Sequence, residues 1–151
     1  MTPKDLTWRL IVPLTIVSFG AVTKWWYVLP EDAPDTMMAG FPLSFVGDGW
    51  HTSMSLQILC AELCIDFIVY FLFWFLLINF SNRYLIKIKT PNILAGTLWT
   101  LSSILLTMAI AIACMPDQII QGKRDWDMKV IVTGYKLVWK HQDRPDFDKA
   151  H

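Results

Sequence analysis

Hydrophobic residues form three long apolar runs along the chain, separated by more polar segments. The runs cover about residues 9–29, 56–79 and 92–115. Each is long enough for a helix to cross a hydrocarbon core roughly 30 Å thick, which takes about 20 residues. Proline follows the first run at Pro30 and the third at Pro116, as is typical just beyond helix ends. The pattern therefore predicts an all-α membrane protein with three transmembrane helices within residues 1–116.

Two further segments connect or follow the predicted helices. The loop over residues 30–54 mixes glycine and proline with aromatic residues, which favours a compact loop. The tail over residues 117–151 contains a stretch, 127–140, that is rich in β-branched and aromatic residues and is interrupted by Gly134. This composition favours one or two β-strands. We therefore expect a small cap of loop and strand on the extracytoplasmic side.

Charged residues are segregated along the chain. Lysine and arginine are absent from Trp25 to Asn82, and the loop over 30–54 contains only acidic charges. Basic residues precede the first predicted helix and fill the link between the second and third: Lys4, Arg9, Arg83, Lys87 and Lys89. The positive-inside rule therefore predicts a cytoplasmic N-terminus and an extracytoplasmic C-terminal tail. The formal net charge is zero, which gives no case for nucleic-acid binding.

Motifs for catalysis or metal binding are absent from the sequence. There is no His-Glu-x-x-His, phosphate loop, Cys-x-x-Cys or Ser-His-Asp order. The cysteines Cys60, Cys64 and Cys114 fall in apolar runs, where free thiols behave as small apolar side chains. An Asp48–His51 pair is more often solvated than metal-binding. We expect neither an enzyme nor a cofactor or metal site.

Polar residues inside the apolar runs are the most informative feature of the chain. Glu62 and Asp66 are four residues apart, on one face of the second predicted helix. A carboxylate in hydrocarbon costs about 2.5–3.5 kcal/mol on insertion scales, so each needs a partner. Lys24 lies at a similar predicted depth to Glu62, which predicts an ion pair between them; the alternative is that Lys24 extends to the outer lipid headgroups. Asp66 is predicted near the midplane, level with Thr107 and one turn from Ser103, whose hydroxyls could hydrogen-bond to it.

Two hypotheses follow for these carboxylates. In the structural one, Asp66 is a neutral, hydrogen-bonded contact that fixes helix packing within this chain or against another subunit. In the functional one, Glu62 and Asp66 belong to a proton or cation path that opens outward. Asp66→Asn separates them, because an amide still donates and accepts hydrogen bonds but cannot take up and release a proton as a carboxyl group does.

The outer loop is a candidate contact surface. It carries apolar and aromatic residues that a loop is expected to expose. Such residues favour either a cap at the membrane surface or a docking patch for another protein. The residues of this predicted patch are Phe41, Pro42, Phe45, Trp50 and His51.

Part of the chain resembles a pattern found in small uncharacterised bacterial membrane proteins. The resemblance covers about Gly40 to Asn79: Gly-Phe-Pro-Leu-x-Phe in an outer loop, then a helix with Asp66 followed by Phe, Tyr and Trp residues up to Trp74. It implies a bacterial inner-membrane location and no particular activity.

A thin bundle of three helices has little interior of its own, so its polar positions are expected to meet other chains. We therefore expect an accessory or assembly subunit of a larger bacterial inner-membrane complex. Its partners would be the lipid bilayer and other membrane-protein subunits. The alternative is a small homo-oligomeric proton or cation conductor in which Asp66 rings a pore.

Overall fold

The structure is a computed structural model that describes residues 3–31, 35–49, 55–85, 87–88 and 90–140. The chain divides into two compact units. A helical unit contains Met1–Ala21 and Phe67–Met115, and a sheet unit contains Val22–Asp66 and Pro116–His151. The protein is therefore an α/β fold.

Long apolar helices make up the helical unit. A first helical segment consists of α1, a π-helical turn and α2 in direct succession. The third α-helix, α3, starts in the sheet unit, continues into the helical unit and ends in a second π-helical turn. The bounds are α1 Pro3–Leu6, turn Thr7–Ile11, α2 Val12–Ala21, α3 Cys60–Phe80, turn Ser81–Leu85 and α4 Asn92–Ala113.

Hydrogen bonds and a small apolar core hold the helical unit together. Trp74 Nε1 donates to Ser18 Oγ at 2.8 Å, which ties α3 to α2. Ser102 Oγ donates to the Pro13 carbonyl at 3.1 Å, which ties α4 to α2. The buried apolar side chains of this unit include Leu6, Leu10, Ile11 and Ile78.

Two helices are long and apolar enough to cross a membrane. They are Cys60–Leu85 and Asn92–Ala113, and only 11% and 6% of their most apolar stretches are buried. A core helix of a water-soluble protein buries most of its apolar residues, whereas these helices leave theirs exposed. Their apolar surface therefore fits contact with lipid or with another protein.

Six strands form one mixed sheet in the sheet unit. The strand order is β5-β4-β3-β2-β1-β6, and every neighbouring pair is antiparallel except the parallel pair β4–β5. Val28, Met38 and Leu59 form its buried apolar core. The strands are β1 Val22–Pro30, β2 Thr36–Ala39, β3 Val46–Asp48, β4 Leu56–Leu59, β5 Ile119–Gln121 and β6 Met128–Leu137.

The prediction of an all-α fold with a small cap is wrong. The helix expected over 9–29 ends at Ala21, and the rest of that run is β1. The helix expected over 56–79 begins at Cys60, because residues 56–59 form β4. Valine, threonine and aromatic residues favour strands, yet their hydropathy also suits a membrane helix. Neighbouring strands from distant parts of the chain decide the outcome, since they supply the hydrogen bonds of the sheet.

Candidate site at the buried carboxylates

Glu62 and Asp66 lie in the first two turns of α3, where that helix belongs to the sheet unit. Their spacing of four residues places both on one helix face, as the sequence predicts. That face is the buried one: Asp66 is 0% exposed and Glu62 is 8% exposed. Between them, Cys64 and Ile65 are exposed. The two carboxylates are therefore enclosed by protein.

The backbone of the β2–β3 loop, residues 40–45, holds Asp66. The Leu43 amide donates a hydrogen bond to Asp66 Oδ1 at 2.9 Å. The Phe41 amide also interacts with this carboxyl group. The other oxygen, Oδ2, is buried and has no hydrogen-bond partner among the described residues. Asp66 thus joins a loop of the sheet to α3 and leaves one oxygen atom unpaired.

The segment between β5 and β6 lies against the start of α3 and reaches Glu62. The Ala61 amide donates to the Gly122 carbonyl at 3.0 Å, and the Arg124 amide donates to Glu62 Oε1 at 3.4 Å, a long hydrogen bond. A carboxylate in the first turn is also stabilised by the positive end of the helix dipole. Glu62 Oε2 is buried and has no partner among the described residues.

The predicted ion pair between Lys24 and Glu62 does not form. Lys24 lies on β1, and its Nζ atom sits 3.7 Å from the centroid of the Trp26 ring. This cation–π contact stabilises the ammonium group and involves no carboxylate. The prediction assumed that Lys24 was on a helix beside α3, and its place on a strand removes that geometry.

Arg124, in the segment between β5 and β6, also directs its charge away from Glu62. The Arg124 guanidinium donates to the Met128 sulfur at 3.3 Å and lies 5.8 Å from the Trp126 ring centroid. Only its backbone amide reaches Glu62. Within the described part of the chain, neither carboxylate is paired with a cationic side chain.

Thr107 uses its hydroxyl within its own helix, where the backbone carbonyl of Ser103 accepts it. Thr107 Oγ1 donates to the Ser103 carbonyl at 2.8 Å, and both side chains are exposed on α4. The partner that the structure gives Asp66 is the Leu43 backbone, not a hydroxyl. The prediction that Thr107 and Asp66 lie at the same depth assumed a membrane helix beginning at about residue 58. In the structure α3 begins at Cys60, and its residues up to Asp66 belong to the sheet unit.

The predicted docking residues Phe41, Pro42 and Phe45 belong to the β2–β3 loop and are half-buried. The Phe45 amide donates to the Ala39 carbonyl at 3.0 Å, and its carbonyl accepts from Leu59 at 2.8 Å. These bonds build the loop into the sheet, beside Asp66. The other two residues of the predicted patch, Trp50 and His51, lie outside the described residues.

Sequence reasoning missed Leu43 and Ser44. Leu43 acts through its amide, which every non-proline residue has, so no pattern could mark it. Ser44 is 2% exposed, and its Oγ has no hydrogen-bond partner among the described residues. A hydroxyl between apolar neighbours was a visible signal, but the patch prediction considered only aromatic and proline side chains there.

No protein-family model, curated protein or solved structure matches the chain. No group of three or more His, Cys, Asp or Glu side chains comes together within the described residues. What the site shows is a pair of enclosed carboxylates that joins a loop, a helix start and a strand connection.

Proposed function

We propose that this protein is an accessory or assembly subunit of a larger bacterial inner-membrane complex, with no catalysis of its own. The observation that carries this proposal is the enclosure of both carboxylates by the sheet unit. From Phe67 to Ala113 the sequence contains no acidic residue. The surface that these apolar helices present to lipids and to neighbouring helices therefore has no acidic side chain that could form an ion path.

Sheet topology supports a definite orientation of the helices. Strands β1–β4 precede α3, and β5 and β6 follow α4, yet all six strands belong to one sheet. Strands that pair with one another lie on the same side of a membrane. Helix α3 would therefore cross the bilayer in one direction, and α4 would cross it in the other. The basic link between them, with Arg83 and Lys87, would be cytoplasmic, and the sheet would be extracytoplasmic.

The first helical segment supports a third crossing with the N-terminus inside. Arg9 Nη1 donates to Asn92 Oδ1 at 2.9 Å, so the basic beginning of the chain lies beside the first residue of α4. Trp8 and Trp99 pack with ring centroids 5.0 Å apart in the same region. The segment then continues through α2 to Ala21 and enters β1 directly. The first helical segment would thus run from the cytoplasmic to the extracytoplasmic side, in the same direction as α4.

Enclosure of Asp66 favours the subunit over the conductor. A pore-lining carboxylate needs contact with water or ions along the pathway. Asp66 instead has no exposed surface and accepts a hydrogen bond from the Leu43 backbone. This geometry fits the structural hypothesis, in which the carboxyl fixes packing.

A groove on α4 is the surface that we assign to a partner helix. It has a volume of about 570 Å³ and is lined by Trp99, Thr100, Ser103, Ile104, Thr107 and Met108. Small and hydroxyl-bearing residues allow close approach of transmembrane helices and interhelical hydrogen bonds. Nearer the start of α4, a Cβ added at Gly96 would meet no atom within 4 Å, so that position is also open.

Copurification tests the proposal. The full chain with an N-terminal tag is extracted from membranes in a mild detergent, and the proteins that accompany it are identified and quantified. We expect unrelated membrane proteins in fixed stoichiometry. A homogeneous oligomer of this chain alone, with ion flux in liposomes, would instead establish the conductor.

A pair of variants locates the partner surface. Ser103→Leu fills the groove, whereas Ala109→Leu adds a leucine at another exposed position of α4. We expect Ser103→Leu to reduce the recovery of partner chains and Ala109→Leu to leave it unchanged. Equal recovery with both variants would place the partner elsewhere on the protein.

A further inference from the structure

Three buried side-chain oxygen atoms have no hydrogen-bond partner within the described residues: Ser44 Oγ, Glu62 Oε2 and Asp66 Oδ2. All three belong to the sheet unit, and all three residues are more than nine-tenths buried. A buried polar atom without a partner costs about 1–3 kcal/mol, and more if it is charged. Such a cost calls for a physical explanation at this place.

The three atoms belong to the β2–β3 loop and the start of α3, which are joined by a hydrogen bond. Glu62 and Asp66 are one helical turn apart and interact electrostatically. Ser44 directly follows Leu43, whose amide lies 2.9 Å from Asp66 Oδ1. The β2–β3 loop therefore carries a buried hydroxyl group on Ser44, the residue next to the one that binds the Asp66 carboxylate.

We propose that Glu62, Asp66 and Ser44 form a binding site for a divalent cation of the Ca²⁺ class. This inference goes beyond the proposed subunit role and concerns the protein in isolation. An all-oxygen donor set with two carboxylates matches the preference of hard cations. A bound divalent ion would favour the ionised form of both carboxyl groups and balance their charge, which no described cationic side chain does.

A shared proton explains the same atoms less well. Two carboxyl oxygens that share a proton lie within hydrogen-bond distance, and neither of the unpaired oxygens has such a partner. A calcium ion binds oxygen atoms at about 2.3–2.6 Å, so it joins atoms that are too far apart to hydrogen-bond to each other.

Burial also argues against a basic side chain from a partner protein. Asp66 is 0% exposed, so a long lysine or arginine side chain has no route to it at the protein surface. A small ion needs only a brief opening of the loop. Backbone carbonyls and water would complete the usual six to eight oxygen ligands.

Calorimetric titration of the detergent-solubilised full chain with CaCl₂, after EDTA treatment and dialysis, tests the site. We expect saturable binding of one Ca²⁺ per chain, with a dissociation constant of about 10⁻⁴–10⁻³ M, the range of extracellular calcium modules. Glu62→Gln and Asp66→Asn should each weaken binding at least about tenfold, which corresponds to about 1.4 kcal/mol. Asp48→Asn, which changes an exposed carboxylate on β3, should bind as the wild type does.

Ser44→Ala provides a second, independent readout by thermal unfolding. In EDTA this variant should unfold at the same temperature as the wild type or higher, because it removes a buried hydroxyl without a partner. In millimolar CaCl₂ it should gain less stability than the wild type. Absence of saturable Ca²⁺ binding by the wild type would overturn the proposal. So would unchanged affinity in both carboxylate variants.

Discussion

The backbone amide of Leu43 donates a 2.9 Å hydrogen bond to Asp66 Oδ1, and this bond joins the β2–β3 loop to α3. The Asp66 end of this bond is enclosed, since Asp66 has no exposed surface, whereas Leu43 is an exposed residue. A carboxylate of an apolar helix thereby attaches that helix to the sheet.

Replacement of Asp66 by leucine should destabilise the protein more than replacement by asparagine. Leucine leaves the Leu43 amide without an acceptor, a loss of about 1–3 kcal/mol in the free energy of unfolding. Asparagine keeps an oxygen that can accept the bond, so its cost should be smaller. Denaturant unfolding in detergent with EDTA measures both without any contribution from bound cations. Equal losses would show that the hydrogen bond contributes little.

Gly40→Ala should distort the loop that holds Asp66. Gly40 has φ of +149°, a conformation that side chains disfavour, and a Cβ there would lie 2.0 Å from the Leu43 carbonyl oxygen. Strain of this kind costs on the order of 1–3 kcal/mol before the clash is counted. Gly96→Ala is the matched control, because its Cβ meets no atom within 4 Å on α4. Thermal unfolding should separate the two, with Gly96→Ala equal to the wild type or slightly more stable.

Gly134→Ala should weaken the pairing of β1 with β6. Gly134 lies opposite Trp25 in the register, and a Cβ at this position would lie 2.6 Å from Trp25 Nε1. Overpacking of this kind typically costs about 1–3 kcal/mol. In a Trp25→Leu background the same glycine substitution should cost less, because the obstructing ring is gone. A double-mutant cycle measures this coupling, and additive effects would contradict the contact.

Ser102→Ala and Ser103→Ala should differ although the residues are neighbours. Ser102 is buried, and its hydroxyl contacts the Pro13 carbonyl across the helical unit, whereas Ser103 is exposed. Interhelical hydrogen bonds of membrane proteins contribute about 0.6 kcal/mol on average. A loss of that order is expected for Ser102→Ala alone, by unfolding of the purified chain in detergent. An equal loss at Ser103 would mean that the bond has no specific role.

Labelling of single cysteines tests the orientation that the sheet supports. In a chain with Cys60, Cys64 and Cys114 replaced by alanine, Asp48→Cys on β3 and Lys129→Cys on β6 should react with an impermeant maleimide from outside the cell. Arg83→Cys should react only after permeabilisation. Reaction of positions 48 and 129 from opposite sides would be incompatible with one sheet.

Local patterns accounted for part of the fold. Apolar runs predicted the helices now seen as α3 and α4, and a β-branched stretch predicted a strand over 127–140 where β6 occupies Met128–Leu137. They failed for Val22–Pro30, which has the hydropathy of a membrane helix and the residue types of a strand. Hydropathy measures preference for leaving water, and lipid and a packed sheet both satisfy it.

The sequence by itself determined that two carboxylates share one face of an apolar helix, because spacing along a helix is a local property. It also determined where the apolar surface and the basic link lie. Only the tertiary structure decided what surrounds the carboxylates. The amide that binds Asp66 comes from a residue 23 positions earlier, and Lys24 turns to Trp26 instead of Glu62. A backbone donor leaves no mark in the sequence, so its position is known only once the loop and the helix have packed together.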